Sequence, residues 1–304
     1  MLFRSAGRLL ARHLGRFLPG QPSIIVQNMG GAGGLVAANH LYNVAPKDGS
    51  VIAQLDRNVA QSGIRGASNV KFDALRFIWL GSLSTFRDEA YVIWINSSHA
   101  VKSLAELPGA RSPVKIGVVT GGTNHVIAKV AREVLGLNIQ IVSGYPGGAG
   151  LWLAFLKGEI DGQPLGLTSV RVERPELWES RAVRGLVAFG ATARLASLPD
   201  VATARELATG DAAKLALIEF AELPFFTSQP FVAPPGLPAD RAAALQQAFL
   251  AMTQDPRFIA EAEKQHIELS PIGADGIMTR LKAAAATPRD VIDAFNRIVD
   301  FARD

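Results

Sequence analysis

Lys115-Ile116-Gly117-Val118-Val119-Thr120-Gly121-Gly122-Thr123-Asn124-His125 is the stretch whose reading decides the fold. Its first five residues are short, apolar and partly β-branched, the pattern of a buried strand. Two glycines follow, then Thr123 and Asn124, either of which can cap a helix through its side-chain oxygen. Val126, Ile127, Val130, Ala131, Val134 and Leu135 recur at helical spacing with Lys129, Arg132 and Glu133 between them, and Gly136 stands where a left-handed C-cap is expected. The order is strand, glycine turn, helix N-terminus. Unpaired backbone N–H groups and the positive end of the helix dipole converge there, which suits the place to an anion. The same residues read equally well as an ordinary βα connection with no ligand.

The pattern repeats. Asn138-Ile139-Gln140-Ile141-Val142 is a second strand, followed by Ser143-Gly144-Tyr145-Pro146-Gly147-Gly148-Ala149-Gly150 and an apolar helix from Leu151 to Leu156. Gly147 and Gly148 let backbone approach a ligand closely, and Tyr145 offers an aromatic wall with a hydroxyl handle, or simply packs the loop. Upstream, Ser23-Ile24-Ile25-Val26-Gln27 reads as a strand, and Gly30 to Gly34 turns into a helix over about 35–42. Three strand–glycine–helix units predict an α/β fold whose carboxyl-end loops form a cleft.

At 304 residues and 48% hydrophobic content the chain has enough apolar surface for two cores. No apolar run reaches the roughly 18 residues of a membrane span. A formal net charge of +4, dispersed along the chain, gives no basis for nucleic-acid binding and is compatible with a small anion. Cysteine is absent, which excludes disulfides, thiolate catalysis and thiolate metal sites, and fits an oxidising compartment.

Arg4, Arg8, Arg12 and Arg16 recur every fourth residue among leucines and Phe17, predicting an amphipathic helix ended by Pro19-Gly20. An arginine-rich, acid-free start also fits a mitochondrial transit peptide. The preferred reading is a first crossover helix whose preceding strand is missing from the chain as given. Strands are expected at Ser50–Gln54, Phe77–Leu80 and Ala90–Ile95, a short one near Leu165, and another at Gly185–Phe189. Leu223 to Phe226 and Gln229 to Pro235 read as an extended return, and helices are expected over 240–253 and from Thr287-Pro288-Arg289-Asp290 to Phe301. Residues 1–97 and 230–304 are therefore expected to form lobe I, 101–224 lobe II, with a two-crossing hinge near 97–101 and 224–230.

Several enzyme signatures fail, although the sequence leaves a Ser–His nucleophile pair open. Val36 takes the place of the third glycine in a dinucleotide fingerprint, no Lys-Ser/Thr follows a glycine run, and no Gly-x-Ser-x-Gly elbow occurs. The five histidines are scattered without ligand spacing, so no metal site and no cofactor are expected. His125, beside the first glycine loop, reads as a residue packed under that loop in preference to a catalytic base. The four tryptophans read as core.

Taken in order, Gln27-Asn28-Met29-Gly30-Gly31-Ala32-Gly33-Gly34-Leu35-Val36-Ala37-Ala38-Asn39, Ala45-Pro46-Lys47-Asp48-Gly49, Thr120 to His125, Gly144-Tyr145-Pro146-Gly147-Gly148 and Ala233-Pro234-Pro235-Gly236 resemble the tripartite tricarboxylate transporter solute-receptor family over nearly the whole chain. The resemblance implies a type 2 periplasmic binding protein fold, two α/β lobes closing on a carboxylate-bearing solute, and delivery of that solute to a pair of membrane permease subunits. By position it makes Thr120, Gly121, Gly122, Thr123 and Asn124, with Tyr145, Gly147 and Gly148, the ligand loops of the second lobe, and Gln54 to Arg57 the loop of the first. Members usually carry small hydroxyl residues in that last loop and many carry an acid near the position of Leu165. This chain has Gln54, Leu55, Asp56 and Arg57 in the loop and no such acid. Members also begin with a signal peptide, a first strand and a glycine-rich loop, none of which precedes residues 4–18 here.

The expectation is a monomeric periplasmic receptor, not an enzyme, that captures a small carboxylate in the inter-lobe cleft. Gln54 and Arg57 are ligand contacts beside the two loops, and neither nucleic acid nor cofactor is a partner. The alternative is a cleft enzyme acting on a small carboxylate on a similar fold.

Overall fold

The computed structural model of the chain describes residues 2–300, with side chains from Ser5 onward. The Arg4 side chain and Phe301, the expected end of the last helix, lie outside the described residues. In chain order the elements begin with α1 (Leu2–His13), α2 (Leu35–Asn43), β1 (Ala53–Gln54), α3 (Asn58–Ile64) and β2 (Ile78–Ser82). Next come β3 (Tyr91–Asn96), β4 (Val114–Gly117), α4 (Thr123–Glu133), β5 (Ile139–Val142), α5 (Gly148–Leu156), β6 (Gly162–Gly166), α6 (Leu167–Glu173) and α7 (Pro175–Glu179). They are followed by β7 (Val183–Phe189), α8 (Ala204–Leu207) and α9 (Ala212–Glu222). The chain ends with β8 (Pro230–Ala233), α10 (Ala239–Thr253), α11 (Pro256–Lys264), β9 (Ile272–Gly273), α12 (Ala274–Ala285) and α13 (Arg289–Ile298).

The chain divides into two compact units. Unit 1 holds the chain to Arg87 together with Leu223–Ala286, and unit 2 holds Asp88–Glu222 with the stretch from Thr287 onward. The sheet of unit 1 runs β1-β8-β2-β9 with every pairing antiparallel. Alternation along its central strand sorts the core. Phe231 and Ala233 face a cluster with Leu9, Leu10, Phe249, Met252 and Phe258, while Val232 between them faces Leu41, Val59, Trp79, Ile277 and Leu281. Both faces are thus covered by helices. The sheet of unit 2 runs β5-β4-β6-β3-β7. Its β4 is parallel to β5 and β6, and β3 is antiparallel to β6 and β7. One face packs Val92 and Trp94 against Leu151, Trp152, Phe155, Leu167 and Val170. Elsewhere in the unit α13 meets α9, where the rings of Phe220 and Phe295 stand edge to face at 5.1 Å.

These divisions differ from the expected boundaries of 1–97 with 230–304 and of 101–224. Residues 91–96 lie in the second sheet, hydrogen-bonded on both sides, and the last helix buries Ile292 and Phe295 within unit 2. The chain therefore passes between units at Arg87/Asp88, Glu222/Leu223 and Ala286/Thr287, three times where two crossings were expected. Residues 97–101 fall inside unit 2, and 224–230 inside unit 1. The cause is general: alternation and β-propensity predict that a strand forms, whereas the sheet it joins is set by non-local pairing. Two local readings also change. Ser23–Gln27 has no ladder partner among the described residues, so its β-branched run stays irregular, with Ile25 84% exposed. Leu223–Thr227 coils into a 3₁₀ turn where an extended segment was expected.

Candidate functional site

In unit 2, β4 and β5 are in register from Val114 opposite Ile139 to Gly117 opposite Val142, and the Val118 N–H donates to the Val142 carbonyl at 2.9 Å. The loops that follow therefore leave the same edge of the sheet side by side, each running into a helix N-terminus, α4 at Thr123 and α5 at Gly148. This brings Thr120–Asn124 and Tyr145–Gly148 together, as the paired sequence pattern suggests.

The first loop is wired from within. Gly121 sits at φ +72°, in the left-handed region that favours glycine, and its N–H donates to His125 Nδ1 at 3.2 Å. The Gly122 N–H donates to the Val119 carbonyl at 3.0 Å. Asn124 is 8% exposed, and its Oδ1 accepts from the Val119 N–H at 3.3 Å. Its side chain thus ties the strand end to the helix start, and the N-cap position belongs to Gly122, with no side-chain cap. His125 is fully buried beneath the loop. The N–H groups of Gly121 and Gly122 are committed inside the loop, so these residues shape it and do not themselves serve as donors. Thr120 stands exposed and Thr123 half-buried at the outer side.

The second loop is more open. Gly144 is left-handed at φ +101°, and Tyr145 leans on the unit 2 core. A methyl group built on Gly147 or Gly148 would meet nothing within 4 Å, and neither residue requires a left-handed backbone. Packing and backbone conformation therefore leave glycine unexplained at both positions, and the space beside them is unfilled by the protein.

A third helix start, α6, follows β6, and its end of the sheet is occupied by a residue that sequence reading missed. Glu89, 5% exposed, accepts from the Thr168 N–H at 2.9 Å through Oε2 and from the Ala90 N–H at 2.9 Å through Oε1. Burial pushes its carboxyl above the ordinary value, with the N–H groups of Thr168 and Ala90 pulling the other way. Standing beside Arg87 and Asp88, it looks in the sequence like one more solvated charge.

In unit 1 Gln54 ends β1 and Arg57 immediately precedes α3, the turn between them anchored by the Leu55 N–H donating to the Pro230 carbonyl at 3.1 Å. Gln54 lies against Gly7 of α1, where an added methyl would come within 2.7 Å of its Oε1, and its Nε2 is buried without a hydrogen-bond partner. The Arg57 guanidinium lies 5.7 Å from the ring centre of Phe86 and 5.8 Å from that of Phe225, two rings stacked at 4.9 Å. Its Nη1 is buried and has no hydrogen-bond partner. Neighbouring Asp56 turns away, accepting from the Asn58 N–H and Nδ2 at 2.9 Å each.

Among the described residues no group of three or more His, Asp or Glu side chains could hold a metal ion. A depression of about 590 Å³ lies in unit 1 between α1 and the irregular segment after it, lined by Arg8, Arg12, Arg16, Pro22, Ile24 and Val26. None of the expected site residues lines it.

The fold is that of a type 2 periplasmic binding protein, and similar solved structures share it. A TctC solute-binding protein from Polaromonas is 17% identical, with a TM-score of 0.69 over 95% of this chain and 92% of that one. MatC from Rhodopseudomonas palustris, with bound malate, is 18% identical with a TM-score of 0.61, over 97% of this chain and 94% of that one. A further R. palustris protein, with adipate, is 18% identical with a TM-score of 0.60, over 96% and 92% of the respective chains. No curated protein matches. The family model described as the tripartite tricarboxylate transporter family receptor matches residues 6–296. The chain belongs to that family and is a solute-binding receptor.

Proposed function

We propose that the protein captures a small carboxylate-bearing solute in the periplasm and delivers it, unaltered, to the membrane subunits of a tripartite tricarboxylate-type transporter. Family membership supports the receptor role, and no helix among the described residues is long and apolar enough to cross a membrane. The observation that carries the site is the pair of glycine loops at the shared edge of β4 and β5, with open space beside Gly147 and Gly148. On this reading Thr120, Thr123 and the first turn of α4 donate to the carboxylate, Gly121, Gly122 and Asn124 hold the loop in shape, and Tyr145, Gly147 and Gly148 form the other wall. Gln54 and Arg57 are the contacts from unit 1. The malate and adipate of the two R. palustris structures suggest the chemical class.

Calorimetric titration with mono-, di- and tricarboxylates tests the reading. Saturable binding of a carboxylate, recovered chemically unchanged, is expected; no binding across the panel, or conversion of the ligand, overturns it. The site is tested by Thr123→Ala, which removes a hydroxyl donor to a charged acceptor. Affinity should fall roughly ten- to a hundredfold, about 1.5–3 kcal/mol, with the fold retained. Unchanged affinity in the folded variant would remove Thr123 from the site.

A further inference from the structure

No backbone N–H or carbonyl of residues 22–30 joins a backbone hydrogen bond among the described residues. Within this segment Ser23-Ile24-Ile25-Val26-Gln27 nevertheless keeps the side-chain alternation of a strand. Ile24 is half-buried against the core of Leu9, Leu10 and Phe231, and Ile24 and Val26 both line the depression beside α1. Ile25, between them, does not line it and stands 84% exposed. A β-branched run with free N–H and C=O groups is a template for another strand. Charge decides which. Residues 17–46 contain no Asp, Glu, Lys or Arg, so the run lacks the charges by which edge strands repel their own copies. Of the arginines lining the depression, Arg12 and Arg16 are taken by Glu261 and Asp255, which leaves Arg8 and little call for an acidic peptide. The run is also self-complementary. Read antiparallel about its centre, Ile24 falls opposite Val26, Ser23 opposite Gln27, and Ile25 opposite its own copy.

We infer that residues 23–27 are a self-association edge, to which a second copy of this chain adds as an antiparallel strand about a two-fold axis at Ile25. The ladder satisfies the backbone groups of both runs, and the two Ile25 side chains leave water together. The same patch serves both partners, so the assembly closes at two. A single short ladder is a small interface, and association therefore depends on concentration. Such a dimer differs from the monomer expected of the sequence and is independent of the receptor reading.

The experiment is sedimentation equilibrium of wild type, Ile25→Lys and Val44→Lys over a concentration series, with a thermal melt of each. Val44 is 68% exposed but lies outside the run, so its lysine controls for general loss of apolar surface. Wild type and Val44→Lys should dimerise alike. Ile25→Lys sets like charges opposite each other and should weaken the dimer about tenfold or more, with an unchanged melt. Because the chain has no cysteine, Ile25→Cys adds a single thiol. Opposed Cα atoms of an antiparallel pair stand about 4.5–5.5 Å apart, within the range of a disulfide. Mild oxidation should therefore link Ile25→Cys into covalent dimers at least about tenfold faster than Val44→Cys. Dimers that survive Ile25→Lys undiminished, or equal cross-linking rates, would place the contact elsewhere and overturn the inference. A wild type that stays monomeric through the series overturns it too, whether or not some other polypeptide pairs with the run. Carboxylate titration of the same samples reports separately on the receptor reading.

Discussion

Asn124 and His125 turn their side chains back into the loop they follow, and so fix the geometry that Thr120 and Thr123 present. Asn124→Ala leaves the Val119 N–H without its acceptor in a partly buried position. Urea unfolding should show a loss of about 1–3 kcal/mol, larger than a surface alanine would give. A change under about 0.5 kcal/mol would mean that water replaces the amide. Glu89 allows a pH test. Its folded carboxyl is raised above the ordinary 4.5 by burial, so the folded state holds the proton more tightly than the unfolded chain. Its contribution is greatest below that ordinary value and is lost as pH rises through the folded one. Glu89→Gln has no such proton, so wild type should lose stability relative to this variant as pH rises from about 4 towards 8. Parallel stability curves would show the carboxyl is not perturbed. The residue patterns explain unevenly what could be read. The glycine loop, its helix and the buried place of His125 follow from types and spacing alone. Whether Asn124 caps the helix or ties back to Val119 depends on a backbone N–H brought near by the turn, and no spacing rule carries that. Glu89 was illegible because its burial comes from α6, almost eighty residues away in sequence.

Helix α1 shows the same split at the level of an element. Its periodicity and basic stripe are plain in the sequence, but the partners of the arginines are not. Arg12 and His13 bind Glu261 of α11 at 2.5 and 2.6 Å, and Arg16 binds Asp255, the N-cap of that helix, at 3.0 Å. The stripe is a docking edge between two helices. The hydrogen bond from His13 is the largest effect on the Glu261 carboxyl; burial, next in size, opposes it, and the hydrogen bond and charge of Arg12 help hold the group below its ordinary 4.5. A lowered carboxylate stabilises fully above that ordinary value, and the contribution is lost as pH falls through the folded one. The protection factors of α1 amides, with the intrinsic rate divided out, should accordingly fall as pH drops below 4.5, and in Glu261→Gln that acid step should be reduced. An acid step of the same size in the variant would assign it to other groups.

For the whole molecule, the α/β class, the two-unit plan and the family follow from repeated strand–glycine–helix units and ordered motifs, while the boundaries do not. Tyr91–Asn96 reads the same whichever sheet takes it, and α13 shows an apolar stripe without showing its partner. That partner is α9, through Phe295 and Phe220. Phe295→Ala should cost about 3–5 kcal/mol. By hydrogen exchange the loss should be concentrated in unit 2, with the amides of β2 and β8 much less affected. Uniform loss of protection throughout the chain would show that the two units unfold as one.

The last helix has a consequence for how the protein is made. A ribosome releases unit 2's sheet and its helices α4 to α9 well before α13, and all of unit 1's remaining chain is synthesised in between. Until then the Phe220 ring has no Phe295 to cover it. The nascent chain thus carries a temporary sticky face whose lifetime is set by the translation of residues 223–286, at roughly 5–20 residues per second a matter of seconds. A holding chaperone that recognises apolar helix surfaces would find its target in that interval and lose it when the final turn docks.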